Sequence, residues 1–205
     1  MTSAEVAVIG AGPAGCAAAI ALARAGRRVL LLERTAGARE SVCGEFLGPD
    51  AAAALARLGL DLPGLGAVPL HRLRLGAGGR EAAMALPFPA WALPRRILDG
   101  ALREAAWAAG VELHQGMGVL GAKATSGGWR LRLTQGEAGA LHLVLATGKH
   151  GMRGYPRRGS LPAALGLKLH LHGMAPAGEV VLLPFSGGYA GLLPLPGGGA
   201  NLCAA

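Results

Sequence analysis

An α/β fold with an inserted, mainly antiparallel β region is what this 205-residue sequence predicts, and three observations predict it. Residues 5 to 33 read as strand, glycine turn, helix, strand and acidic stop. A second helical stripe opens at Pro94 and leads back to a short strand from Val111 to His114. Strand-like alternation from Val68 to Pro87 interrupts that pattern, and a strand-rich, Pro/Gly-punctuated stretch from Leu161 follows it.

The first segment, EVAVIGAGPAGCAAAIALARAGRRVLLLE, carries the most chemistry. Gly10, Gly12 and Gly15 form GxGxxG between an apolar strand and a helix, with Ala11, Pro13 and Ala14 filling the turn. One glycine permits the tight turn, one lets a pyrophosphate approach the backbone, and one lets helix and strand pack closely. A helix from Pro13 to about Ala25 would aim its unpaired amides and positive dipole end at phosphates, with proline at an early position where no donor is needed. Glu33 stands about 20 residues on, at the end of the second strand, where a carboxylate accepts hydrogen bonds from ribose hydroxyls. Together these spacings predict a Rossmann-like, dinucleotide-binding unit. Arg34 has three comparable readings: packing on an adenine, accommodating a ribose phosphate, or solvation.

After Arg34 comes an aperiodic polar stretch, TAGARESVCGEFLGPD, then an alanine-rich helix from about Asp50 to Leu58, stopped by Gly59. Leu70, Leu73 and Leu75 alternate with polar residues, and Gly76 to Gly79 turn the chain back into EAAMALP. In the helix after Pro94, Ile97, Leu98, Ala101, Leu102, Ala105 and Ala109 are spaced for a buried stripe. WRLRLT and ALHLVLAT read as two strands joined by QGEAG. The second ends in Ala146, Thr147 and Gly148, small residues where a strand runs up beside a nucleotide.

The composition sets further bounds. A hydrophobic fraction of 52% is ample for a core, although much of it is alanine, which buries little area per residue. Residues 6 to 23 are free of charge, yet three glycines and a proline argue against a membrane span, and no basic leader or cleavage site precedes them; a mature chain in the cytoplasm is expected. Cys16, Cys43 and Cys203 are widely spaced and form no metal or disulfide pattern, which suits reduced thiols. The net charge of +8 comes from scattered arginines, including the pairs Arg27–Arg28 and Arg157–Arg158, with few aromatics between them. Nucleic-acid binding is therefore not expected. The charge favours anionic ligands or partners, such as an acidic carrier protein or the anionic surface of a membrane.

Several separated motifs resemble one family, the flavoprotein hydroxylases and reductases of the para-hydroxybenzoate hydroxylase fold, particularly their geranylgeranyl-reductase-like branch. The shared features are the GxGxxG unit with Glu33 and Arg34, the Cys43-Gly44-Glu45 segment, Arg95 in PRRILD, Val119, the Ala146-Thr147-Gly148 strand end, and FSGGYAGLLPLPGG. The resemblance implies FAD as cofactor, with NAD(P)H as a candidate electron donor. It implies that Cys43 and Gly44 lie near the flavin, that Arg95 contacts the phosphate or ribityl region, and that Val119 lies against the adenine. Glu45 and Tyr189 would face the substrate. The branch's tryptophan and phenylalanine positions after that tyrosine are Gly191 and Leu193 here. The family also continues into a Gly-Asp segment that holds the inner half of FAD, whereas this sequence ends at Ala205, so a truncated cofactor site is expected.

The resulting expectation is a discontinuous FAD-binding domain over residues 1–66 and 92–158, with an incomplete β-rich substrate domain over 67–91 and 159–205. The implied activity is that of an FAD-dependent oxidoreductase which reduces C=C bonds or hydroxylates a small aromatic, polyketide-like or lipid substrate. The alternatives are an NAD(P)-binding dehydrogenase and a non-catalytic FAD-binding subunit that needs a second chain. Cys43 reads more readily as a packed thiol than a redox one, and Glu45 more readily as a solvated loop acid than a proton donor. Lys168, His170 and His172 share one strand face and read as an exposed polar surface rather than a metal site.

Overall fold

The computed structural model describes residues 2–149, 151–156, 165–173 and 176–205. The Arg157–Arg158 pair and the first residues of the stretch from Leu161 lie outside them. In chain order the elements are β1 (Thr2–Ile9), α1 (Pro13–Arg24), β2 (Val29–Glu33), β3 (Phe46–Leu47), α2 (Pro49–Leu58), β4 (Val68–Ala77), β5 (Arg80–Ala92) and α3 (Arg95–Ala108). They continue with β6 (Glu112–Gln115), β7 (Val119–Thr125), β8 (Gly128–Leu133), β9 (Glu137–Leu145), β10 (Leu167–Leu171), β11 (Glu179–Phe185), β12 (Gly188–Pro194) and β13 (Ala200–Ala204). The chain divides into two compact units, residues 1–39 with 98–159 and residues 40–97 with 160–205.

The first unit is built on a six-stranded sheet in the order β6-β2-β1-β9-β8-β7. Strands β6, β2, β1 and β9 run parallel, and β8 and β7 add an antiparallel meander. The central strands have neighbours on both sides and read as continuous apolar runs, as parallel strands covered on both faces must. Val6 to Ile9 and Val29 to Leu32 are all buried. On one helix, Cys16, Ala19 and Ile20 of α1 are buried with no exposed surface. Ala4, Ala7, Leu30, Leu32, Leu131, Leu133, Ala138 and Ala140 form a core cluster, in which small residues on β1 and β9 face leucines on β2 and β8.

The buried stripe of α3 differs from the sequence expectation. Leu98, Asp99, Leu102, Arg103 and Ala106 are the buried positions, whereas Ile97, Ala101, Ala105 and Ala109 are only partly covered. The face is rotated toward two charged residues, and a reading that admits only apolar residues to the stripe misses them. Arg103 can be buried because each of its three guanidinium nitrogens finds an acceptor.

The second unit holds a seven-stranded sheet in the order β10-β13-β12-β11-β4-β5-β3. Its pairs are antiparallel except β4 with β11. Leu70, Ala90, Ala92, Val180 and Leu193 form its core cluster. Pro87 and Pro89 fall in β5 where the two-residue β3, paired only at Trp91 and Ala92, does not reach, so no ladder bond is lost on that side. Helix α2 ends as expected at Gly59, whose φ of 94° is the left-handed conformation that glycine adopts without strain.

Candidate nucleotide cradle and buried carboxylate cluster

The three motif glycines have different surroundings, and the differences assign their tasks. Gly10 has φ 103°, and a Cβ placed on it would lie 2.5 Å from the carbonyl oxygen of Ala146. A Cβ on Gly15 would lie 1.8 Å from the carbonyl oxygen of Gly10. These two glycines are required by the protein's own backbone, one by the turn against the end of β9 and one by the approach of α1 to that turn. Gly12 is the exception: nothing among the described residues lies within 4 Å of its would-be Cβ. It is also the N-cap of α1, with no side-chain cap and with Pro13 next. A helix N-terminus with an uncapped first turn and open space in front of it is a ready anion site.

Glu33, at the end of β2, faces this turn. Its Oε2 accepts a hydrogen bond from the Ala11 amide at 2.8 Å, and its Oε1 accepts from the Thr35 amide and the Thr35 hydroxyl, both at 2.9 Å. Burial works against the charge, but the bonds from Thr35 and Ala11, aided by Arg103, hold the carboxyl below its ordinary value. Glu33 therefore ties the glycine turn to its own strand end and keeps a fixed anion there.

Arg103 was invisible to the motif reading and is the centre of this arrangement. From α3, its Nε donates to the Ala11 carbonyl at 3.3 Å, one terminal nitrogen to Gln115 Oε1 at 2.7 Å, and the other to Thr35 Oγ1 at 3.4 Å. Its guanidinium also stands 4.0 Å from Glu33 Oε2. One buried fork thus joins the glycine turn, the second residue after the acidic stop and β6. The available signal was a charged residue four positions after Asp99 on a helix face otherwise closed to solvent.

The remaining expected cofactor residues are distributed as follows. Ala146 and Thr147 lie against Gly10, and the Ala146 amide donates to the Ile9 carbonyl at 2.9 Å, so the strand end and the glycine turn meet. Gly148 follows with φ 70°. Val119 opens β7 half-buried, and Arg34 is exposed. Cys16 is fully buried, and desolvation pushes its thiol up to about 12, which makes it inert packing. Cys43, Gly44, Glu45, Arg95 and Tyr189 belong to the second unit. Tyr189, on β12, is exposed.

Two residues in the second unit differ from expectation. Glu45 is 2% exposed rather than solvated, and it is the one non-glycine residue with positive φ, 64°, among those described. Lys168 is not on an open polar face: its side chain is 7% exposed, and its ammonium donates to Glu40 and Glu45 at 2.6 Å each. Burial disfavours the charge, yet those two carboxylates hold Lys168 above its ordinary value. Asn201, fully buried, donates its amide to the carbonyls of Cys43 and Gly44 at 3.1 and 3.2 Å. The Cys43 thiol is half-buried and accepts from the Glu45 amide at 3.4 Å, which makes it part of the turn. An alternating sequence with a lysine and a histidine looks solvated; only the fold reveals that residues 40–45 cover that face.

A glycine turn with space for a pyrophosphate, an N-terminal helix end and a fixed strand-end acid define a dinucleotide-binding α/β protein. Residues 3–151 match the family described as FAD binding domain, and the chain belongs to that family. It is 34% identical over 231 residues to a menaquinone reductase of Mycobacterium tuberculosis, covering 98% of this chain and 54% of that relative. A squalene epoxidase of Aspergillus fumigatus is 45% identical over 69 residues, 33% of this chain and 14% of its own. Among solved structures, a flavoprotein/dehydrogenase from Cytophaga hutchinsonii superposes with a TM-score of 0.81 at 21% identity, covering 98% of this chain and 55% of that one. The chain spans about half the length of the curated relatives it matches over its full extent, 54%. Among the described residues no helix is long and apolar enough to cross a membrane.

Proposed function

We propose that this chain holds the adenosine half of FAD in a flavin-dependent oxidoreductase that acts on a lipid-like substrate. The observation that carries the reading is the open position in front of Gly12, flanked by two glycines that the backbone itself requires, in a chain of the FAD binding domain family. Gly12 and the first turn of α1 would receive the pyrophosphate, and Glu33, anchored by Ala11 and Thr35, would accept the ribose hydroxyls with its remaining lone pairs. Arg103 would hold that acid and the turn in register. Arg34, Val119, Ala146, Thr147 and Gly148 complete the proposed nucleotide side. Cys43, Gly44 and Arg95 are proposed toward the flavin, and Glu45 and Tyr189 toward the substrate.

Bound FAD would supply the two-electron chemistry that side chains lack. The names of the relatives, menaquinone reductase and squalene epoxidase, point to hydrophobic substrates and to either reduction or oxygenation. We favour reduction of a prenylated quinone-type lipid, because that relative is matched along 98% of the chain and the epoxidase along 33%. NAD(P)H is the proposed electron source, and the cytoplasmic face of a membrane the proposed workplace. The test is spectral: protein supplied with FAD should retain a flavin absorbance that bleaches with dithionite and, for the donor, with NADPH. Protein that retains no flavin after desalting would defeat the proposal.

A further inference from the structure

Glu45 combines two costs that a merely structural acid would avoid. Its backbone sits at φ 64°, a conformation that costs a side-chain-bearing residue about 1–2 kcal/mol. Its carboxylate is buried, yet only Oε1 is partnered, by the Arg95 amide at 2.7 Å and the Lys168 ammonium at 2.6 Å. Oε2 has less than 1 Å² of exposed surface and no hydrogen bond among the described residues. Leaving such an atom unpaired costs about 1–3 kcal/mol, and more for a charged group. His170 Nε2 stands 4.0 Å from Oε2, on a ring that remains 32% exposed. One oxygen is thus clamped while the other faces an imidazole that reaches solvent. Strain and an orphaned atom at one residue point toward function.

We propose that Glu45 and His170 form a proton-transfer pair on the substrate side, and that Lys168 is the residue that positions Glu45. The pair passes a proton from the imidazolium Nε2 of His170 to Glu45 Oε2, breaking the N–H bond, forming the O–H bond and leaving a neutral imidazole. The imidazole regains its proton from water, so no oxidant or reductant is consumed. Lys168 fixes Oε1 and leaves Oε2 as the exchanging oxygen. The other ionisable groups around the pair are Glu40, which Lys168 and Arg96 bridge and which stands 3.9 Å from His170 Nε2, and the thiols of Cys43 and Cys203. That the proton serves flavin chemistry rests on the function proposed above; the pairing itself does not.

Nitrogen-15 NMR of the ring of His170 in the flavin-free chain tests the pairing directly. At a pH where the ring is neutral, the Nε2–H share in the wild type should exceed the share found in a free histidine side chain. It should fall to the mixture of free imidazole in Glu45→Gln and, through loss of positioning, in Lys168→Met, with Lys168→Arg restoring it. A tautomer ratio that Glu45→Gln leaves unchanged would overturn the proposal, whatever the flavin result. In FAD-loaded protein reduced with dithionite, reoxidation by menadione should slow about tenfold or more in His170→Gln, with FAD uptake and the unfolding midpoint unchanged, and added imidazole should restore it. Unaltered reoxidation, or slowing that imidazole cannot rescue, would refute a role in flavin chemistry, whereas failure to take up FAD would count against the function and not the pair.

Discussion

Glu33 and Glu45 are both carboxylates withdrawn from water, with side chains 12% and 1% exposed, and each lies near a buried cation. They are built in opposite ways. Glu33 ends a regular strand, and both its oxygens are satisfied by the loop it anchors, with Arg103 behind. Glu45 sits in a strained turn with one oxygen clamped and the other unpaired. The first arrangement holds a shape and a charge, as a cofactor cradle must, at little conformational cost. The second spends stability to keep an atom available, which is the mark of a group that exchanges something.

The sharpest way to break the comparison is in the glycine turn that Glu33 supports. Gly15→Ala would force a Cβ to 1.8 Å from the Gly10 carbonyl oxygen and should cost about 4 kcal/mol or more, read as a fall in the thermal unfolding midpoint. Gly12→Ala meets no atom of the described residues within 4 Å and has an ordinary φ of −81°, so the unfolding midpoint should hold while FAD uptake falls about tenfold. Equal destabilisation by both would mean that Gly12 is a packing glycine and the cradle reading is wrong. Next in size is Arg103→Met. It removes three hydrogen bonds from a buried fork and leaves Glu33 without its cation, at a cost of about 3 kcal/mol measured by urea unfolding.

The legibility of the two acids in the sequence differs for the same physical reason. Glu33 is found by counting, because a parallel strand, a glycine turn and a helix have fixed lengths and the acid must fall at the strand end. The α/β core, the helix bounds of α1 and α2 and the β-rich remainder follow from period and punctuation in the same way. Glu45 is set by long-range partners: Lys168 lies 123 residues away and Asn201 contacts its turn from 157 residues away. No local pattern announces such a meeting. Arg103 is an intermediate case, since its helix is legible but apolar spacing alone does not mark its buried face, which carries Asp99 and Arg103 beside Leu98 and Leu102.

Lys168→Met probes the second acid. It strips one of two donors from Glu45 Oε1 and the shared donor of Glu40, and should cost about 2 kcal/mol near neutrality. Despite burial, the two carboxylates hold Lys168 above its ordinary value, so its contribution is fully present below about pH 10.4 and is lost only as pH rises through the higher folded value. Denaturant midpoints of wild type and variant should therefore run parallel from pH 6 to about pH 10 and converge only beyond it.

Glu33 should show the mirror image at the acid end, with the smallest effect. Burial raises its carboxyl and the hydrogen bonds from Thr35 and Ala11 lower it by more, so the folded value lies below the unfolded one of about 4.3. A depressed acid contributes stability that is present above the unfolded value and disappears as pH falls through the folded value. Glu33→Gln should thus cost about 1 kcal/mol at pH 7, and the difference from wild type should shrink steadily below about pH 4. If the difference persisted undiminished to about pH 2, the ionised carboxylate would not be what ties the glycine turn to the strand end, and Arg103 alone would carry that role. Such a result would also remove the fixed anion on which the ribose assignment depends.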